Sequence, residues 1–167
     1  MALATCADRI SGKGTSFLVG DAAPATADKA GYEAVTYTKL GLLNSISGGI
    51  GPEASVNTFE VLDADAVCKS LGAIDYGEMT VTVGLSQADD GLLAVRPLVG
   101  VNENIAFEMM TSKKGAAGID MLPFSVFLTG KIRSCRVNPA DINGTITCDI
   151  GIVLEGGLFY RDAVDGT

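Results

Sequence analysis

Two pairs of carboxylates stand close together in the chain, Asp63 with Asp65 and Asp89 with Asp90, and carboxylates at such spacing are the raw material of general acid–base chemistry. Asp63 and Asp65 flank a loop, however, and Asp89 and Asp90 stand where a helix begins, so solvation and helix capping account for both pairs. The chain contains no histidine. That removes Ser-His and Cys-His nucleophile systems and the commonest transition-metal ligand. Four cysteines, Cys6, Cys68, Cys135 and Cys148, show no CxxC spacing. Cys135 and Cys148 fall in strand-like runs, where cysteine behaves as a small hydrophobe, and free thiols are expected. Gly12-Lys13-Gly14-Thr15 has the flavour of a phosphate loop, but Gly14 breaks the required G-x-x-x-x-G-K-[ST] order and no strand precedes it. Asn143-Gly144-Thr145 matches a glycosylation acceptor and equally a hairpin turn. No catalytic residue, metal site or cofactor is expected, and the chain reads as a non-enzyme.

The elements around these residues are mostly strands. Residues 1–13 are small, polar and glycine-punctuated, as in a flexible N-terminal arm, and Gly14–Gly20 is a first strand. Asp21–Gly31 is a loop by composition, and Tyr32–Leu40 and Ser55–Leu62 have strand character. Together these two predict a long hairpin whose connection, about residues 41–57, has its tip at Gly48, Gly49 and Gly51. Glu78–Leu85 alternates strictly, with Met79, Val81, Val83 and Leu85 on one face and Glu78, Thr80 and Thr82 on the other. A helix is predicted near Gln87–Arg96, with Ser86 and Asp89 at its start and Pro97 at its end. Asn104–Thr111, Phe124–Val137 and Thr145–Glu155 complete the strands, Gly156-Gly157 closes the last one, and residues 161–167 form an exposed tail. The order predicts a single mainly β domain over residues 14–160, a β-sandwich or open barrel of two packed sheets with one flanking α-helix.

Composition narrows the function. Of 167 residues, 47% are hydrophobic but only 19% charged and 6% aromatic. That leaves little charge to cover a monomer, so part of the surface is expected to be buried against partners. A net charge of −8 disfavours adhesion to nucleic acid phosphates and to anionic membranes. No apolar run is long enough to span a membrane, and MALATCADRI lacks the basic and apolar regions of a signal peptide.

Several phrases in a fixed order carry a resemblance. They are KSLGAIDYGEMTVTVGL, with Leu71, Asp75, Gly77 and Glu78; SQADDGLLAVRPLV, with Asp89, Asp90 and Gly91; NIAFEMMT; FSVFLTGKIRSCRVNP, with Gly130, Ile132 and Ser134; and GTITCDIGIVLEG. In this order, over about residues 63–160, the chain resembles the major tail tube proteins of long-tailed, siphovirus-like bacteriophages, and GKGTSFLVG resembles that family's first strand. The resemblance implies a structural subunit located in the virion tail and assembled in the host cytoplasm. Subunits of that kind polymerise as stacked hexameric rings around a tape measure protein, bounded by tail terminator and distal tail proteins, with an acidic channel through which DNA passes during ejection without sticking. On this reading Glu78, Thr80 and Thr82 face the lumen, the alternative being ordinary solvent. Asn44, Ser45, Ser47, Gly48, Gly49, Gly51 and Glu53 belong to a loop that docks on the adjacent ring. Two other classes fit the same grammar: a single-ring terminator or connector of related fold, and a monomeric β-sandwich binding module, which the absence of Trp disfavours.

Overall fold

The computed structural model of the protein describes residues 14–60, 67–111, 121–122, 124–140, 144–161 and 164–165. The expected arm at residues 1–13 lies outside them. Strand β1 is Ser16–Gly20, followed by a five-residue helix α1 (Lys29–Glu33), β2 (Tyr37–Lys39), β3 (Leu43–Gly48), β4 (Glu53–Glu60), β5 (Val67–Asp75) and β6 (Glu78–Gly84). Helix α2 (Asp90–Val95) runs into a 3-10 turn at Arg96–Leu98, and β7 (Ile105–Met110), β8 (Met121–Leu122), β9 (Ser125–Asn138), β10 (Thr147–Arg161) and β11 (Val164–Asp165) follow.

Seven strands form one antiparallel sheet in the order β2-β1-β7-β9-β10-β6-β3. Its two edge strands, β2 and β3, are separated in sequence by Leu40, Gly41 and Leu42 alone. So short a link spans at most about 15 Å, so the sheet must curl until its edges are close. The expected open barrel is therefore a consequence of connectivity. A cleft lined by Gly14, Thr15 and Met109 on one side and Leu43, Asn44, Ser45 and Ile46 on the other marks the seam.

The inward faces meet in one apolar cluster. Met79, Val81 and Val83 of β6, Ile150 and Ile152 of β10, Leu128 and Ile132 of β9, and Phe17 and Phe107 are all buried in it, and Phe17 stacks on Phe107. The period-two pattern of β6 is thus realised, its apolar face inward. Helix α2 adds Leu92 and Val95 to the same cluster.

Asp89, not Ser86, caps that helix. Its Oδ1 accepts from the Gly91 and Leu92 N–H groups at 3.0 and 3.2 Å, and its Oδ2 accepts from the Gly41 N–H at 3.0 Å. One buried carboxylate therefore ties the helix start to the link that closes the barrel. Asp89→Ala would strand three backbone donors, and a loss of about 2–3 kcal/mol in urea unfolding is expected. An unchanged midpoint would refute that role. Pro97 behaves as anticipated: the α-helix stops at Val95 and the chain continues only as a 3-10 turn.

Three expectations need correction. Tyr32 belongs to α1 and not to a strand, because Asp28 caps a short helix there by accepting from the Gly31 N–H at 2.8 Å. The long hairpin is not built from residues 32–40 and 55–62 around a connection at 41–57. Leu43–Gly48 pairs with β6 instead, and β4 pairs with β5 as a separate two-stranded ribbon. Finally, Gly156-Gly157 does not end the last strand. Both adopt positive φ (147° and 64°) and make a bulge, after which β10 resumes pairing to Arg161. Glycine at 157 has a steric reason: a Cβ there would overlap the Tyr32 hydroxyl. Val164–Asp165, within the expected exposed tail at 161–167, pairs with β8.

Candidate functional site

The outward face of the barrel has two halves. Over β7, β9 and the end of β10, α1 lays down a second, smaller apolar layer in which Tyr32 packs on Phe127 and Phe159, with Ala106, Val35 and Tyr37 beside it. The Tyr32 hydroxyl is hydrogen-bonded to the Thr129 hydroxyl. Arg161 closes the layer by donating to Glu108 Oε1 and Ser125 Oγ, both at 2.8 Å, and lies over the Phe127 ring. Burial, reinforced by the negative charge of Glu108, pushes the Tyr37 phenol well above its ordinary range.

The other half is uncovered and polar. Ser47, Thr80, Gly151 and Ser134 form one row across β3, β6, β10 and β9, and Ser45, Thr82, Asp149 and Arg136 form the next. Glu78, Val153 and Lys131 continue the face. Glu78, Thr80 and Thr82 thus share one surface, as their alternation requires. Asn44, Ser45, Ser47 and Gly48 lie in β3 itself rather than in a loop. Ser45 and Ser47 therefore extend the polar face by pairing with Thr82 and Thr80.

The carboxylates on this surface each have a partner. Arg133 Nη1 meets Glu78 Oε2 at 2.8 Å, and Lys131 Nζ meets Glu155 Oε1 at 2.6 Å. Asp149 accepts from the Thr82 hydroxyl and from the Asn138 amide, both at 2.6 Å, and these bonds hold its carboxyl below the usual range. Among the described residues, the carboxylates Glu78, Asp149 and Glu155 are matched in number by Lys131, Arg133 and Arg136. The chain's net charge of −8 is therefore carried elsewhere.

The β4–β5 ribbon is the other unusual surface. Paired positions alternate, so Val56, Leu71 and Val67 lie on one face and Phe59 with Cys68 on the other. Val56, Phe59, Val67, Leu71 and Ile74 are all exposed, with Phe59 at 70% and Leu71 at 76%. A lone two-stranded ribbon is at best marginally stable in water, and this one leaves apolar side chains uncovered on both faces. At its base a cleft of about 740 Å³ is lined by Gly49, Gly51, Glu53, Asp75 and Glu78 among others. Three of the residues expected to dock between rings, Gly49, Gly51 and Glu53, thus sit at the root of the ribbon. Sequence reading missed β5 because VCKSLGAID places Lys, Ser and Gly among its apolar residues and shows no clean alternation.

Asp89 and Asp90 stand at the start of α2 and face no other described carboxylate that would make a reaction centre. Asp89 is spent on capping, and Asp63 and Asp65 lie outside the described residues. Among the described residues no group of three or more His, Cys, Asp or Glu side chains is placed to hold a metal, and no helix is long and apolar enough to cross a membrane.

No family profile and no curated protein sequence matches the chain. Solved structures do match. The chain superposes on the SPP1 tail tube with a TM-score of 0.63 at 15% identity, covering 90% of this chain and 78% of that one. It matches the sheath/tube terminator of the extracellular contractile injection system PVC with a TM-score of 0.65 at 14% identity, over 92% and 97% of the two chains. The tail of an empty GTA particle, refined with C6 symmetry, gives 0.59 at 14% identity over 91% and 98%. The protein has the tail-tube fold: a mainly β architecture, as the resemblance in its sequence implied.

Proposed function

We propose that this chain is a structural subunit, without enzymatic activity, of a phage-type tail tube, polymerising as stacked rings. The observation that carries the reading is the β4–β5 ribbon, whose exposed Val56, Phe59, Val67, Leu71 and Ile74 neighbouring copies would cover. Among the described residues the outer edge of β3 pairs with no strand, and a second copy would continue the sheet there. Six copies per ring would close the wall, a number in keeping with the C6 symmetry of the GTA particle tail. The polar face with Glu78, Thr80 and Thr82 then lines the channel, and the root of the ribbon at Gly49, Gly51 and Glu53 meets the adjacent ring. DNA sliding past would meet hydroxyls and paired charges, within a tube that is acidic as a whole. A tape measure protein, terminator and distal tail proteins are the further partners, and the virion tail is the location.

Negative-stain electron microscopy of the purified protein across a concentration series tests this. Tubes or stacked rings with a central hole are expected. Single rings that never stack would favour the second reading, a terminator, which the similarity to the PVC sheath/tube terminator supports. Monomers at every concentration, also in the presence of preformed tail ends, would remove both.

A further inference from the structure

Cys135 on β9 and Cys148 on β10 lie on the core side of neighbouring strands, thirteen positions apart in sequence. Cys135 stands opposite Ile150 and Cys148 opposite Val137, so the two thiols are diagonal partners on one face. The right-handed twist of paired strands brings one diagonal closer than the other. Here the Sγ atoms are 2.8 Å apart, against about 2.05 Å for bonded sulfurs, so less than about 1 Å of movement separates contact from a bond. Cys148 is fully buried and Cys135 half-buried, which gives the pair one reachable member. No part of the proposed assembly uses either thiol.

We propose that Cys135 and Cys148 form an oxidation site at which a small-molecule disulfide converts the two thiols into a cross-strand disulfide. The Cys135 thiolate attacks one sulfur of the small disulfide, forming a mixed disulfide and expelling one small thiolate. The Cys148 thiolate then attacks the Cys135 sulfur, and the second small thiolate leaves. One S–S bond is broken and one is formed. The protein loses two electrons and two protons, and the small disulfide gains both as two thiols. Burial, followed by the neighbouring Cys135 and Asp149, pushes the Cys148 thiol up to about 12, with Arg96 opposing. The closing step is therefore slow at neutral pH and quickens as pH rises. The bond staples β9 to β10 beside the chain that connects them, and it is independent of whether the protein forms tubes.

The test uses the full chain incubated with oxidised glutathione at pH 8, denatured, alkylated and digested with trypsin. The expected product joins Ser134–Arg136 to Val137–Arg161, with neither Cys135 nor Cys148 alkylated, whatever glutathione adds to the exposed Cys68. The oxidised protein should melt about 5 °C higher than the reduced one and return on treatment with dithiothreitol. Cys135→Ser should lose both the linked peptide and the shift while its reduced melting point stays near that of the wild type. Cys135 and Cys148 both alkylated after prolonged incubation, or a glutathione adduct on Cys135 that never resolves, would overturn the proposal.

Discussion

Replacing Phe59 and Leu71 together by glutamate is expected to abolish tube growth while leaving the monomer folded. The two side chains lie on opposite faces of the β4–β5 ribbon and are already mostly in solvent, so charging them removes no packing from the monomer. In a ring or stack the same positions become apolar contacts, and a carboxylate buried there without a partner costs several kcal/mol. A loss of about 2 kcal/mol at each position would raise the concentration needed for polymer roughly a thousandfold. Pelleting assays and micrographs should therefore show no tubes over the accessible range. The melting temperature of the monomer should stay within about 2 °C of the unmodified protein. Tubes at the ordinary concentration would mean that the ribbon is not the contact, and would leave the β3 edge as the surface to examine next.

The second large effect is on stability and arises on the opposite half of the barrel surface. Arg161→Met should destabilise the protein by about 3–5 kcal/mol, because it leaves the Glu108 carboxylate buried without its cation. Glu108 is only 6% exposed and the Arg161 side chain 17%, so solvent screens the pair little. Ser125 also loses the donor that satisfies its hydroxyl. Adding Glu108→Gln to the first change removes the orphaned charge and should recover at least half of the loss in urea unfolding. A first substitution costing under about 1 kcal/mol would show that water reaches the pair. Thr129 and Tyr32 serve as an internal reference, since their hydrogen bond lies in the same layer without a formal charge.

Much of this was readable from residue order. Alternation in Glu78–Leu85 assigned β6 and its inward face correctly, because a strand with one buried side must repeat at period two. The linked phrases over residues 63–160 pointed to the right fold although each alone is only strand-and-turn grammar. Helix α2 was found by its acidic start and by Pro97, with the cap misplaced by three residues, from Ser86 to Asp89.

Partner choice was what the sequence could not give. Residues 43–48 read as part of a glycine-rich connection yet form β3, and the strand signal at residues 55–62 does not name its neighbour. The three-residue link Leu40–Leu42 sends β3 to β6, across the seam, and leaves β4 to pair with β5. The same limit hid the continuation of β10 beyond Gly156-Gly157. Two adjacent glycines ordinarily stop a strand, and only the presence of Tyr32 above Gly157 shows why a side chain is excluded there. Arg161 looked like the start of a tail until β10 carried it against Glu108 and Phe127. The sequence by itself determined which residues turn inward and where the backbone must bend, since side-chain period and φ preference are local properties. Tertiary structure alone decided which strands meet and which apolar surfaces remain uncovered, because those depend on contacts between residues far apart in the chain.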